Sequence, residues 1–306
     1  MSRWADLLTE QRNPASESLD ELPVRELLAL INREDARVAP VVAAQIESIS
    51  QAVELVADRL SRGGRLFYVG AGTSGRLGVL DAAECPPTFN VAPEMVQGLI
   101  AGGREAAFRA VEGAEDRPEI GEADLRERGL NAGDVVLGIA ASGVTPYVHG
   151  ALRYARSVGA GTVFFTCSPT TLSEVEADVQ IAPEVGPEVV TGSTRMKAGT
   201  ATKLVLNMIS TATMVRLGKT YGNLMVDLQP KNAKLRDRTL RILDAITGLD
   251  PEAGRARLEA ANGELKVALV MELRKVDVTQ ARALLARHGG VVRRAVGAPP
   301  ITNSTT

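Results

Sequence analysis

Arg65-Leu66-Phe67-Tyr68-Val69-Gly70-Ala71-Gly72-Thr73-Ser74-Gly75 is the stretch on which the fold turns. Residues 65–69 form a short apolar run, enriched in aromatic and β-branched types and preceded by the helix-stopping pair Gly63-Gly64. Such a run reads as a buried strand. The segment that follows fits G-x-G-x-x-G, which alone is a weak sign of a dinucleotide site. That reading also requires an acid at the end of the second strand, for the ribose hydroxyls. The second strand here ends in Ile100-Ala101-Gly102-Gly103, without one. A small phosphate, met by the Thr73 and Ser74 hydroxyls and by N–H groups that the glycines leave accessible, suits the loop better.

Outward from this point the same alternation recurs. Strands are predicted at residues 95–100, 134–140, 161–166 and 178–182, and helical periodicity separates most of them. Nearly continuous apolar strands alternating with helices predict a parallel sheet covered on both faces. Upstream, residues 1–40 read as an irregular polar arm, because Asn13-Pro14 and Pro23 break long helices. Apolar residues at steps of three and four predict a helix from Val41 to about Arg62. A long helix is expected from about Arg195 to Leu217, with Leu204, Val205, Met208, Ile209, Ala212 and Val215 on its apolar side. The expected organisation is an arm (1–40), an α/β domain (41–234) and a small all-helical domain (235–306), with residues 298–306 frayed.

Composition narrows the function. The 306 residues carry a formal net charge of -2, with 24% charged and 45% hydrophobic side chains. This composition suits a soluble globular protein and lacks the basic footprint of a nucleic-acid binder. No apolar run is long enough to span a bilayer, and no signal region follows Met1, so a cytoplasmic location is expected. Aromatic side chains are 3% of the total, which points to an aliphatic core. Cys85 and Cys167 suggest buried packing rather than a disulfide framework. His149 and His288 are the two histidines, so carboxylates or lysines are the better candidates for proton transfer.

Ser142-Gly143-Val144-Thr145 repeats the hydroxyl-rich chemistry at the end of another strand. Two such loops at the carboxyl ends of parallel strands would face one crevice. Each alone reads equally well as a set of Ser/Thr helix caps. A third polar cluster, Gly186 to Lys197, opens the long helix. There Ser193 or Thr194 is expected to cap, and Lys197 and Lys203 to approach a ligand anion.

With these motifs in view, the chain resembles the sugar isomerase (SIS) fold. Gly186 through Lys203 is similar to the signature shared by the glucokinase regulatory protein and the N-acetylmuramic acid 6-phosphate etherases. Thr9-Glu10-Gln11-Arg12-Asn13, Gly72 through Gly78, Asp81 through Phe89 and Ala110 through Asp116 resemble the etherases in particular. The resemblance implies an α/β fold with a SIS-type parallel sheet sandwiched by helices and a small C-terminal helical domain. It implies a homodimer without metal or redox cofactor that acts on a small sugar phosphate. The implied reaction cleaves the D-lactyl ether of N-acetylmuramic acid 6-phosphate, giving N-acetylglucosamine 6-phosphate and D-lactate.

Carried over by position, the catalytic pair is Glu84 and Glu115, with Glu84 as the acid and Glu115 as the base. Membership of the pair is firmer than the division of roles. Glu84 sits in Ala-Ala-Glu-Cys-Pro-Pro, a context that favours burial, where a lone carboxylate is costly unless it has a function. Glu115 lies in a charge-rich run with Glu112, Asp116 and Glu119, which by itself reads as a solvated face. SIS-type proteins point to Ser74, Ser142 and Thr145 for phosphate and sugar, with Thr73 and Ser193 behind them. Arg12, Asn13, Glu188 and Lys197 fall in family motifs without a role that the residues themselves reveal. An aldose–ketose isomerase and a non-catalytic sugar-phosphate sensor are the rival readings.

Overall fold

The computed structural model describes residues 7–228 and 233–297. The frayed tail expected at 298–306 and the N-terminal hexapeptide lie outside the described residues. The chain forms two compact units. The first comprises the chain up to Ala83 together with Pro93–Thr211, and the second comprises Glu84–Ala92 and the chain from Ala212 onward.

The first unit opens with α1 (Val24–Asp35), α2 (Val38–Ala43) and α3 (Ile46–Ser61). A helix within the arm departs from the irregular lead-in expected there. Pro23 occupies the N-cap position of α1 rather than breaking it, where proline's missing N–H costs no helical hydrogen bond. The helix expected from Val41 is divided at Ala44-Gln45 into α2 and α3. Then come β1 (Leu66–Gly70), α4 (Gly72–Phe89), β2 (Val96–Ile100), the short α5 (Gly103–Ala106), α6 (Pro118–Glu127) and β3 (Val135–Ile139). α7 (Pro146–Ser157), β4 (Gly161–Phe165), β5 (Val179–Ile181) and α8 (Lys197–Arg216) complete the series, with α4 from Glu84 and α8 from Ala212 counted in the second unit.

The five strands form one parallel sheet in the order β2-β1-β3-β4-β5. Every residue of β1, β3 and β4 is buried, as a sheet covered on both faces requires. The largest buried side chains include Tyr68, Tyr147, Phe67, Phe164 and Phe165. The few aromatics are therefore concentrated on and beside the central strands, and the core is less purely aliphatic than composition suggests. Each such ring contributes about 1.5–3 kcal/mol through burial, so a handful placed here anchors the sheet.

α4 runs through Pro86-Pro87 to Phe89, with Asn90 N–H closing on the Pro86 carbonyl at 2.9 Å. The pair is part of the helix. On α8, Val205, Leu206 and Ile209 are buried, whereas Met208 is 37% and Val215 47% exposed, so the expected apolar side is wrong at those two positions.

In the second unit β6 (Thr220–Tyr221) and β7 (Leu224–Met225) make an antiparallel hairpin. Gly222-Asn223 is a two-residue hairpin turn signal in the stretch between the long helix and residue 235, for which no element was expected. The helices are α9 (Ala233–Thr247), α10 (Pro251–Ala260), α11 (Leu265–Arg274), α12 (Val278–Arg287) and α13 (Val292–Val296). They close on a core that includes Leu243, Leu269, Val270 and Val292. Among the described residues no helix is long and apolar enough to cross a membrane.

Candidate active site

The site follows from strand order and register. β1 and β3 are neighbours, but the chain leaves β1 toward β2 on one side and β3 toward β4 on the other. This is the topological switch point at which open parallel sheets bind ligands. Gly70 is level with both Ile139 and Ile100, so the loops after β1 and β3 emerge side by side. They line a crevice of about 310 Å³ lying wholly within the first unit.

In the first loop, a Cβ on Gly70 would come within 2.8 Å of the Gly75 nitrogen, and one on Gly75 within 2.7 Å of the Gly70 oxygen. Glycine at both ends permits the helix to start directly over the strand. Thr73 and Ser74 fall in the first turn of α4, where backbone N–H groups have no partner within the helix. In the second loop, Gly143 adopts φ +86 and has no room for a Cβ, which would meet Thr171 Oγ1 at 1.8 Å. Thr145 is the N-cap residue of α7, yet its hydroxyl makes no capping hydrogen bond. That frees it to face a ligand and removes the capping explanation at this position. Thr73, Ser74, Ser142 and Thr145 all line the crevice. The imidazole of His149 is held at 2.8 Å from the Gly143 carbonyl.

The loop before α8 supplies Gly192 and Thr194 to the crevice, while Ser193 is half-buried outside its lining. Neither Ser193 nor Thr194 is needed as the cap of α8. Glu188 performs that task, its carboxylate accepting from the backbone N–H groups of Lys197 at 3.0 Å and Ala198 at 2.9 Å. Burial raises the Glu188 carboxyl above its ordinary value despite those two hydrogen bonds. Lys197 does not approach a ligand anion. It is 1% exposed and donates from Nζ to Glu34 at 2.6 Å. Burial alone would raise the Glu34 carboxyl, but Lys197, Asn13 and Arg37 together hold it below the ordinary range. Lys203 donates to Asn207 at 2.6 Å.

Three carboxylates border the crevice: Glu10, Glu115 and Asp116. Glu115 and Asp116 sit on a single helical turn, Ala114–Asp116, reached through Gly113 at φ +70. The charge-rich run therefore turns two of its acids to the crevice, and Glu112 is not among them. Glu10, from the N-terminal arm, carried no site role in the sequence reading. Glu84 is exposed on α4, while Ala82 and Cys85 beside it are buried at 6% and 2%. Helical rotation places its carboxylate outward, so the cost of burying a lone charge does not apply to it. Glu84 belongs to the second unit. Cys85 and Cys167 are both buried, and burial pushes the Cys167 thiol up, consistent with packing.

Fold and crevice together define a SIS-type α/β protein with a hydroxyl-lined switch-point site. Residues 42–156 match the glucokinase regulatory protein N-terminal SIS domain. An N-acetylmuramic acid 6-phosphate etherase of Gloeobacter violaceus is 57% identical over 94% of this chain and 94% of its own. Those of Rhodopirellula baltica and Cutibacterium acnes are 51% and 56% identical, over 98% and 94% of this chain and 99% and 95% of theirs. Among solved structures, a phosphoheptose isomerase from Neisseria gonorrhoeae aligns with a TM-score of 0.49 and 20% identity, covering 62% of this chain and 98% of that one. The chain belongs to the N-acetylmuramic acid 6-phosphate etherases, and is a carbon–oxygen lyase.

Proposed function

We propose that the crevice binds N-acetylmuramic acid 6-phosphate by its phosphate and that Glu115, which lines it, and Glu84, assigned by the family motif and not among its lining residues, carry the proton transfers of ether cleavage. The observation that carries this reading is the meeting of Glu115 with the hydroxyls of Thr73, Ser74, Ser142 and Thr145 around one cavity. Hydroxyls and helix N-termini suit a dianionic phosphate, and Ser193 lies beside Gly192 and Thr194 as a further candidate contact. Contacts to the remote phosphate hold the reacting carbons against the base.

The chemistry needs no unusual nucleophile. In the open-chain sugar the C2 proton is acidified by the C1 aldehyde. Glu115 removes it, the electron pair forms the C2–C3 double bond, and the C3–O bond breaks. Glu84 gives its proton to the departing lactate oxygen. Water then returns a hydroxyl to C3 and a proton to C2, leaving N-acetylglucosamine 6-phosphate. Two carboxylates in different surroundings suffice for such acid–base work. Supporting the same reading, Glu115 lies in the family stretch Ala110–Asp116 and Glu84 in Asp81–Phe89.

We further propose a cytoplasmic homodimer. Val24 at 71% and Leu28 at 60% exposure, one helical turn apart on α1, present the kind of apolar surface that a second copy covers. Incubation with N-acetylmuramic acid 6-phosphate should release D-lactate stoichiometrically with N-acetylglucosamine 6-phosphate. Ketose formation from a hexose phosphate without any lactate would replace this reading with an isomerase.

A further inference from the structure

Glu10 is placed with more care than an exposed residue of an N-terminal arm requires. Leu7, which caps its short turn, and Thr9, within that turn, are 6% and 3% exposed. The Thr9 carbonyl accepts from the Gly192 N–H at 3.1 Å, joining the arm to the loop that borders the crevice. Three residues on, Asn13 is 7% exposed and fastens the arm a second time. Its amide donates to Glu34 at 2.9 Å and to the Pro187 carbonyl at 3.1 Å, and its side-chain oxygen accepts from Ala15 N–H. Glu34 is held in turn by Lys197 Nζ at 2.6 Å. Burying a lysine and a glutamate for this purpose adds little stability over apolar packing. What it adds is a fixed position for the arm relative to the loop before α8.

The outcome is a carboxylate in the crevice. Glu10 Oε2 lies so near Gly192 that a Cβ there would sit 3.3 Å from it. Among the described residues no lysine or arginine pairs with Glu10, and its carboxylate accepts one hydrogen bond, from the Thr9 hydroxyl at 3.4 Å. A carboxylate is an acceptor only. It repels a phosphate or a lactyl carboxylate, so its natural partner is an uncharged O–H or N–H donor. On an amino-sugar phosphate those donors are the sugar hydroxyls and the acetamido N–H.

We infer that Glu10 is a substrate-contacting residue: it accepts a hydrogen bond from a neutral O–H or N–H donor of the bound amino sugar, and the Asn13–Glu34–Lys197 network positions it. This rests on the sugar-phosphate reading of the crevice and extends it to the sugar ring. Binding isotherms separate the two. With N-acetylglucosamine 6-phosphate as the probe, Glu10→Ala and Glu10→Gln should each weaken binding at least tenfold, about 1.4 kcal/mol. With inorganic phosphate as the probe, affinity should stay within twofold of wild type. The inference is overturned by N-acetylglucosamine 6-phosphate affinity within twofold of wild type in both variants. It is equally overturned by a parallel loss of phosphate affinity, which would make Glu10 a structural residue, or by wild-type protein that does not bind the sugar phosphate. Loss of D-lactate release is scored separately in wild-type enzyme, so failure of the reaction and failure of the contact cannot be confused.

Discussion

Glu84 and Glu115 reach their proposed roles by different routes. Glu115 lies in a charged run that sequence alone reads as solvent-facing, and only a tight turn after Gly113 brings it, with Asp116, to the crevice. The charge run could not reveal this, because which acids turn inward depends on the φ of one glycine. Glu84 shows the reverse. Its apolar neighbours suggested burial, yet α4 rotates it outward. Because the side chain is exposed, Glu84→Gln should leave the melting temperature nearly unchanged. Loss of a general acid should lower lactate release by about 10²–10⁴-fold. Steady-state assays beside a thermal melt check this, and near-wild-type release would remove Glu84 from the mechanism. The role proposed for Glu10 is not legible in the sequence for a further reason: it depends on what anchors Thr9 and Asn13, and the contacts with Gly192 and Pro187 come from beyond the sheet in sequence, Pro187 lying 174 positions from Asn13.

The strands of the sheet were legible because buried parallel strands are continuous apolar runs, and their starts and ends were read to within a residue or two. Helix starts were less so. Pro23 looks like a breaker and acts as an N-cap. Ser193 and Thr194 look like caps, while Glu188, several residues upstream, caps α8 through both its oxygens. The junction of α1, the arm and α8 depends on Lys197. Its replacement by Met leaves Glu34 buried without its main cation, and breaking a buried pair in this way costs about 3–5 kcal/mol. Denaturant melts should show the loss. The pH dependence has a definite sign. Glu34 titrates below its ordinary value of 4.5, so its contribution is full above that pH and disappears as pH falls through the lower, folded-state value. Lys197→Met should raise the acid-unfolding midpoint. An unchanged midpoint would show that the pair does not hold the junction.

At the scale of the whole molecule, five segments distant in sequence meet at the switch point between β1 and β3: the glycine-rich loop, the loop after β3, the run before α8, the turn that carries Glu115 and Asp116, and Glu10 of the arm. The first two were legible as hydroxyl-rich turns following strands, since backbone register obliges them to emerge together. The second unit's helices were legible as periodicity. Its hairpin was not, since two-residue strands are too short to show alternation. Exposed Val24 and Leu28 lead to an expected dimeric mass by light scattering, and a monomer at micromolar concentration would count against that assembly.

Removal of the C2 proton of a sugar phosphate by Glu115 is the step on which the proposed reaction depends. Running the reaction in heavy water and reading C2 of the N-acetylglucosamine 6-phosphate product by NMR tests it most directly. The wild-type enzyme should place deuterium at C2 as D-lactate is released, and Glu115→Gln should slow both events together by about 10²–10⁴-fold. Lactate released with protium retained at C2, or a Glu115→Gln variant that releases it at the wild-type rate, would exclude Glu115 as the base at C2.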